Sequence, residues 1–185
     1  LIGGGMAYTF LKANGHSVGS SKLEADKVGL AGQLIAEAAR RKVKLLLPQD
    51  HVATTSLDVG SDVRQIGGED IPEGWLGADI GPSTAKTFTK ALAGAKTVVW
   101  NGPVGVFEQP RFCEGSRRIA KTLARLKGTT IIGGGDTAAC VGRCGLSDRM
   151  SHISTGGGAS LEFLEGKTLP GIAMLRDAHE AGVRV

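Results

Sequence analysis

Short apolar runs alternate with segments whose apolar residues recur every three or four positions, from one end of the chain to the other. A short apolar run is typical of a buried strand, and three-to-four spacing predicts an amphipathic helix. Such alternation favours an α/β fold, which we expect to be a Rossmann-like, doubly wound parallel sheet in a three-layer αβα arrangement. The predicted strands are residues 1–2, 44–47, 97–100, 129–132 and 152–154.

Three helices are predicted between these strands, the first over residues 24–41 and the second capped at its start by Ser83. The residues expected to face inward from the three helices are Val28, Ala31, Leu34, Ile35 and Ala38, then Ala85, Phe88, Ala91 and Leu92, then Phe112, Ile119, Ala120, Leu123 and Leu126. Glycine and proline interrupt the stretch from Val52 to Trp75, where we expect a small antiparallel excursion and a loop.

The length of 185 residues predicts a single domain that occupies the whole chain. Leu1 and Ile2 lead directly into glycines without an initiator Met or a turn. We therefore expect a piece of a longer protein, truncated on its N-terminal side. The tail, from about residue 178 to 185, is expected to be disordered.

The amino-acid composition favours some classes of function over others. The 29 glycines indicate many tight turns or backbone that approaches a ligand closely. A formal net charge of +4 suits anionic ligands, but the basic residues are too scattered to indicate nucleic-acid binding. The three cysteines form no CxxC pair and predict reduced thiols in a cytoplasmic protein. There is no bilayer-length apolar run and no secretion signal pattern at the start.

Three glycine triplets supply the candidate chemistry, each directly after a predicted strand and before a helical segment. They are residues 3–5, 133–135 and 156–158. Because the carboxyl ends of parallel strands meet at one edge of the sheet, the three loops are expected to converge there. Helix N-termini with bare amides favour phosphate oxygens, so the triplets predict a phosphate-binding site.

Asp136 follows the second triplet, and its position leaves two interpretations open. The carboxylate could stabilise the helix N-terminus, or it could hold Mg²⁺ together with substrate phosphates.

A P-loop is excluded, because the glycine expected five positions before Gly166 is Leu161. Residues 133–138 satisfy the loose dinucleotide pattern GxGxxA, but no strand ending in an acid follows, so a dehydrogenase is weakly supported.

Six longer segments together resemble the phosphoglycerate kinase family, in its order and spacing. They are GGGMAYTFL at 3–11, GWLGADIGP at 74–82, WNGPVGVFE at 100–108, IGGGDT at 132–137, SHISTGGGASLE at 151–162 and LPG at 169–171. The family transfers a phosphoryl group reversibly between 1,3-bisphosphoglycerate and ADP in glycolysis. The resemblance is to its C-terminal lobe, which binds ATP or ADP with Mg²⁺.

The resemblance implies roles for named residues. It implies that Gly4, Gly5 and Gly77 line the adenine pocket and that Glu108 takes the ribose hydroxyls. It favours Asp136 as the Mg²⁺ ligand over the helix-stabilising interpretation. The residues it implies near the nucleotide, chiefly its phosphates, are Asn101, Pro103, Gly134, Gly135, Thr137, Gly156 and Gly157. Backbone amides near Gly135 and Gly158 are implied to stabilise the transferring group.

Two family features are not found in the sequence. The lysines that precede the first triplet in the family are absent, since Lys12, Lys22 and Lys27 do not occupy that motif. The sugar-acid site belongs to the family's N-terminal lobe. We therefore expect this chain alone to be inactive, and its parent to be a monomeric enzyme without nucleic-acid or membrane partners. The alternative is a non-catalytic adenine-nucleotide-binding or partner-binding module.

Overall fold

The computed structural model describes residues 1–180, with side chains described as far as Arg176. The α-helices of this range are α1 (Gly4–Ala13), α2 (Val28–Arg40), α3 (Pro82–Leu92), α4 (Glu114–Leu123), α5 (Gly135–Arg143), α6 (Gly157–Leu164) and α7 (Pro170–Glu180). The strands are β1 (Asp50–Thr54), β2 (Val63–Gly67), β3 (Leu76–Ile80), β4 (Thr97–Asn101), β5 (Thr129–Gly133) and β6 (His152–Ser154). No described helix combines the length and the apolarity needed to cross a bilayer.

A parallel sheet in the order β4-β5-β6 carries the last three predicted strands. Helix α4 connects β4 to β5, and α5 connects β5 to β6. Asn101 lies opposite Gly133, and Gly133 lies opposite Ser154, so the three strands end at the same edge. The predicted α/β class, a Rossmann-like parallel sheet flanked by helices, is confirmed.

A second sheet is antiparallel, in the order β2-β1-β3. The pairing of β1 with β2 confirms the antiparallel excursion expected after Val52. The sheet is larger than predicted, because β3 returns along the other side of β1.

The two earliest predicted strands, residues 1–2 and 44–47, are not strands in the structure. The Ile2 N–H donates to the Leu46 carbonyl at 3.0 Å, so the two segments are neighbours. A single hydrogen bond does not make a ladder, and these two predictions were wrong in that respect.

The predicted helix over 24–41 is divided. Ala25–Lys27 forms a 3-10 turn, and α2 begins only at Val28. Leu34 is 46% exposed rather than inward, because α2 packs against α1 and is covered mainly on that side. The side of α3 that faces the core is formed by Thr84, Ala85, Phe88 and Leu92. Ala91, predicted inward, is exposed.

The later helices also differ at their ends. Phe112 is buried as predicted but lies in a 3-10 turn, Pro110–Phe112, before α4. Leu126 lies beyond the last residue of α4 and packs against the core from there. The tail expected to be disordered begins within the last turn of α7 and continues outside the described range, at residues 181–185, so this expectation stays a prediction.

The larger core lies between the parallel sheet and the helices α3, α4 and α5. Its members include Phe88, Trp100, Ile119, Ile132 and Val141. A smaller cluster of Tyr8, Leu11, Val18 and Ile71 holds α1 against the antiparallel part. Tyr8 of the smaller cluster and Phe107 of the larger cluster line the same cleft, which is where the candidate site lies.

Candidate functional site

The second and third glycine triplets touch at the ends of β5 and β6. The Gly134 N–H donates to the Ser154 carbonyl at 2.9 Å, and the Asn101 amide nitrogen donates to the Gly157 carbonyl at 3.3 Å. A Cβ on Gly157 would lie 2.9 Å from the Gly134 Cα, closer than side chains come to backbone. Only glycine at 157 therefore allows the two loops to approach this closely.

The first triplet meets the loop that follows β4. Gly4 has a φ of +60°, and a Cβ at this position would lie 2.7 Å from the Pro103 carbonyl oxygen. The same loop contains Gly102, whose N–H donates to the Thr137 hydroxyl at 2.7 Å. The loop after β4 thus joins all three triplets at one edge of the sheet, as the sequence predicted.

Three helices begin at these triplets, and none has a side-chain cap: α1 after Gly3, α5 after Gly134 and α6 after Gly156. In α5, Ala138 is the first residue whose N–H finds a backbone acceptor, the Gly134 carbonyl. The preceding amides, of residues 135–137, have no acceptor among the described residues. Free amides at a helix N-terminus, with its partial positive charge, form a binding position for an anion.

Helix α3 provides the contrast, because a carboxylate already occupies its N-terminus. Asp50 accepts hydrogen bonds from the N–H groups of Ser83 and Thr84 at 2.8 and 2.7 Å and from the Thr84 hydroxyl at 2.5 Å. Burial opposes ionisation of Asp50, but these hydrogen bonds outweigh it together and hold its pKa below the ordinary value. The prediction that Ser83 caps this helix was wrong; Asp50 of β1 does so.

Helix α4 is stabilised in the same way by Asp79 of β3. The Asp79 carboxylate accepts from the Gly115 N–H at 2.8 Å and from the Ile80 N–H at 2.9 Å. Burial raises the pKa of Asp79 to about 7 in spite of these bonds, since the group is only 1% exposed. The N-termini of α3 and α4 are therefore capped by carboxylates of the protein itself, whereas the N-termini that follow the glycine triplets are uncapped.

A cleft of about 590 Å³ lies beside the open helix starts. The residues predicted from the sequence that line it are Gly4, Gly5, Gly77, Pro103, Glu108 and Asp136. The cleft wall also includes several residues that the sequence reasoning did not single out: Tyr8, Ser20, Lys22, Leu57, Leu76, Ala78, Val104, Gly105, Val106 and Phe107.

The other predicted site residues lie next to the cleft and do not line it. Asn101, Gly134 and Gly157 form the contact between loops described above. Gly135, Gly156 and Gly158 belong to the same two helix starts. Thr137 is buried and its hydroxyl oxygen already accepts from Gly102, so a contact between Thr137 and phosphate stays a prediction.

Tyr8 and Lys22 are the most informative of the residues missed. A Cβ on Gly77 would lie 2.1 Å from the Tyr8 hydroxyl oxygen, so the phenol ring fills the space beside that glycine. Burial, reinforced by the nearby Asp79 charge, raises the pKa of Tyr8 and keeps the phenol neutral. Lys22 packs beside Gly5, and it is the one Lys or Arg in the described wall of the cleft.

Asp136 is exposed to the cleft and forms no salt bridge with another described residue. No group of three His, Cys, Asp or Glu side chains with metal-binding geometry occurs among the described residues. Such an arrangement does not suit an ion held by protein ligands alone. It fits Mg²⁺, which commonly takes one or two carboxylates and completes its shell with phosphate oxygens and water.

Comparison with known proteins identifies the family of the chain. Residues 1–167 match the family model described as phosphoglycerate kinase. The chain belongs to the phosphoglycerate kinase family. Among its relatives, the phosphoglycerate kinase of Pelotomaculum thermopropionicum is 58% identical over 177 residues and that of Clostridium tetani 54% over 177 residues. Both alignments cover 96% of this chain, but only 45% and 44% of the respective relative.

Solved structures of phosphoglycerate kinases share the fold. The structure from Coxiella burnetii is 43% identical, with a TM-score of 0.88, and the match covers 94% of this chain and 45% of that one. The structure from Pyrococcus horikoshii is 29% identical, with a TM-score of 0.83, and the match covers 96% and 45%. The chain therefore spans somewhat less than half the length of the phosphoglycerate kinases it matches.

Proposed function

We propose that the chain forms the C-terminal, nucleotide-binding lobe of a phosphoglycerate kinase and binds ADP or ATP with Mg²⁺ in the 590 Å³ cleft. One observation carries this proposal: the uncapped N-termini of α1 and α5 line a cleft that contains the exposed carboxylate of Asp136, and the uncapped N-terminus of α6 contacts the loop that leads into α5. Membership of the kinase family supports it.

The nucleotide lies along the cleft in this proposal. Its base packs against the part of the cleft wall that contains Gly4, Gly5 and Gly77, and Glu108 accepts hydrogen bonds from the ribose. Its phosphates point toward the start of α5. The groups proposed to be near them are Asn101, Pro103, Gly134, Gly135, Asp136, Thr137, Gly156 and Gly157.

Phosphoryl transfer needs little covalent chemistry from a protein, and the main tasks are positioning and the stabilisation of charge. The free amides of α5 near Gly135, and those of α6 near Gly158, donate hydrogen bonds to the oxygens of the moving group. Each helix N-terminus adds about half a positive charge. Lys22 adds a full charge at the cleft wall. Asp136 holds Mg²⁺, which when bound neutralises the phosphate oxygens.

The parent protein, in this proposal, is a monomeric cytoplasmic enzyme of glycolysis. It transfers a phosphoryl group between 1,3-bisphosphoglycerate and ADP, with no nucleic-acid or membrane partner. The 3-phosphoglycerate site belongs to its other lobe. The 185-residue chain alone accordingly binds nucleotide but does not turn it over.

The test at the metal position replaces Asp136 with Asn. Asp136→Asn should weaken binding of Mg-ADP by tenfold or more, an effect on the order of 1.4 kcal/mol, and should change binding of metal-free ADP much less. Titration calorimetry with and without Mg²⁺ measures both affinities. Asp148→Asn is the matched control, because Asp148 is an exposed acid in the 3-10 turn after α5. Equal losses with and without metal would assign Asp136 to the helix N-terminus instead.

A coupled assay separates this proposal from a non-catalytic binding module. Adding 3-phosphoglycerate and Mg-ATP to the chain should give no ADP formation above background. Adding a separately produced N-terminal part of a relative, extended to include the lysines that precede the first triplet in the family, should restore turnover if the chain is the kinase lobe. Nucleotide binding without any restored turnover would favour the binding module.

A further inference from the structure

A second concave surface lies between the outer helices α3 and α4. It has a volume of about 530 Å³ and is lined by Lys86, Thr89, Lys90, Ala93, Lys121, Thr122, Arg125 and Leu126. Among the described residues, its wall contains four cationic side chains, no acidic residue and no aromatic ring. We call this surface the α3–α4 groove.

The charge of the groove is not that of the chain as a whole. Residues 82–96 and 114–127, which contain α3, α4 and the turns that follow them, hold eight Lys or Arg and one acidic residue, Glu114. The complete chain has 22 basic and 18 acidic residues. Positive charge is therefore concentrated in these two segments, while the rest of the chain is slightly acidic.

The four groove cations have no counter-ion among the described residues, unlike Arg117 and Arg118 of α4. Arg117 and Arg118 both pair with Glu114, the one carboxylate of α4. Lys86, Lys90, Lys121 and Arg125 form no salt bridge with any residue of the described range. The hydroxyls of Thr89 and Thr122 donate to carbonyls of their own helices. An anion in the groove would therefore be held by charge rather than by hydroxyl groups.

The spacing of the cations suits a ligand with several charges. Lys86 and Lys90 are four residues apart on α3, and Lys121 near the end of α4 is four residues before Arg125, which lies in the turn after that helix. Side chains four apart on a helix lie roughly 6 Å from each other, and packed helices lie about 8–10 Å apart. The four charges therefore lie on both sides of the groove, close enough together for one small molecule to contact all of them.

Helix C-termini carry partial negative charge, and basic residues near them often serve only to balance it. Two helix ends supply about one negative charge in total. Four unpaired cations exceed this, so the groove keeps a net positive charge.

The α3–α4 groove is separate from the candidate nucleotide site. Helices α3 and α4 lead into the first residues of β4 and β5, whereas the glycine triplets follow the last residues of the strands. Five strand residues at about 3.3 Å each put roughly 15 Å of sheet between the two edges.

We propose that the α3–α4 groove is a binding site for a small anion with several phosphate groups. Single-stranded nucleic acid is the less suitable class, because its sites combine a basic groove with aromatic stacking platforms and this wall has none.

The test uses tripolyphosphate as the probe and compares three forms of the full 185-residue chain. The groove variant carries Lys86→Gln, Lys90→Gln, Lys121→Gln and Arg125→Gln. The matched control removes the same charge from exposed positions elsewhere, with Lys12→Gln, Lys42→Gln, Lys44→Gln and Arg176→Gln. Titration is done with excess Mg-ADP present, so that the candidate nucleotide site is occupied. The groove variant should lose about tenfold or more in affinity for tripolyphosphate, and the control less than about twofold.

Each other outcome counts against the groove site. Equal losses in both variants would show a general effect of net charge. Displacement of tripolyphosphate by Mg-ADP to the same extent in the wild type and the groove variant would assign the probe to the nucleotide cleft. Tighter binding of a short single-stranded oligonucleotide than of tripolyphosphate would favour nucleic acid. If the fourfold groove variant does not fold by circular dichroism, the two pairs, on α3 and on α4, are replaced separately, and each should still lose at least about threefold.

Discussion

At the scale of single residues, the geometry of the candidate site depends on which glycines lie in close contact with a neighbouring loop. Gly157 meets the backbone of Gly134, whereas a Cβ on Gly158 would meet nothing within 4 Å. The sequence predicted that both triplets lie at strand ends, but two adjacent glycines look identical in a sequence. Only the approach of the loops distinguishes them.

The first prediction uses this difference. Gly157→Ala should lower the free energy of unfolding by about 1–3 kcal/mol, because its Cβ forces the loops after β5 and β6 apart, and should weaken Mg-ADP binding. Gly158→Ala retains the backbone amide, has room for its methyl group, and should change both quantities little. Urea unfolding and calorimetric titration of the two variants provide the check. If both variants lost stability equally, the close contact between the triplets would not be what requires glycine.

Other residues of the candidate site differ in whether the sequence alone could place them there. Asp136 could be placed in the site from the sequence, because it directly follows a strand, a glycine loop and a helix start. Lys22 could not, since the chain returns to Gly5 through a loop after α1 whose course has no periodic pattern. Tyr8 belongs to an apolar helical stripe, and only its contact with Gly77 reveals that it forms part of the cleft wall.

At the scale of elements, the helices divide by how they begin. The starts of α3 and α4 receive carboxylates from β1 and β3, and those of α1, α5 and α6 have no side-chain cap. Sequence rules for helix caps look at neighbouring residues, and so they predicted Ser83 for α3. The actual cap, Asp50, lies 33 positions earlier than Ser83. A cap that crosses between elements is outside what local sequence patterns can predict.

The second prediction concerns this cap. Asp50→Ala leaves the N–H groups of Ser83 and Thr84 and the Thr84 hydroxyl without their shared acceptor, and should lower the free energy of unfolding by about 2 kcal/mol. Ser83→Ala keeps its N–H and should cost less than about 0.5 kcal/mol. Denaturant unfolding with circular dichroism measures both. A larger loss for Ser83→Ala would restore Ser83 as the cap that stabilises α3.

At the scale of the whole molecule, alternation of apolar runs and helical stripes was sufficient to predict the α/β class and the strands β4, β5 and β6. It was not sufficient for residues 1–2 and 44–47, because a strand needs a hydrogen-bonded neighbour as well as an apolar sequence. It also underestimated the antiparallel sheet, since the pairing of β3 with β1 joins segments more than 20 residues apart. These errors concern pairing between distant segments, which a pattern read along the chain does not contain.

Global stability should also depend on pH through two buried groups that act in opposite directions. His51 is 1% exposed, and neither ring nitrogen has a hydrogen-bond partner in the described structure. Burial lowers the pKa of His51 below its ordinary value of 6.5. The unfolded chain therefore takes up the proton more readily, and His51 costs stability as the pH falls below about 6.5. Asp79, whose pKa is raised from 3.8 to about 7, instead costs stability as the pH rises between those values.

The third prediction isolates the His51 contribution. As the pH falls from 8 to 5, the wild type should lose more unfolding free energy than His51→Phe does, because the phenyl ring of the variant cannot take up a proton. Asp79 is present in both proteins and cancels from the difference. Each pKa unit of separation between the folded and unfolded states corresponds to about 1.4 kcal/mol at the acid end. Urea unfolding at several pH values gives this difference, and His152→Asn, at an exposed histidine, should leave the wild-type profile unchanged. A pH-independent difference for His51→Phe would mean that His51 is protonated equally easily in the folded and the unfolded chain.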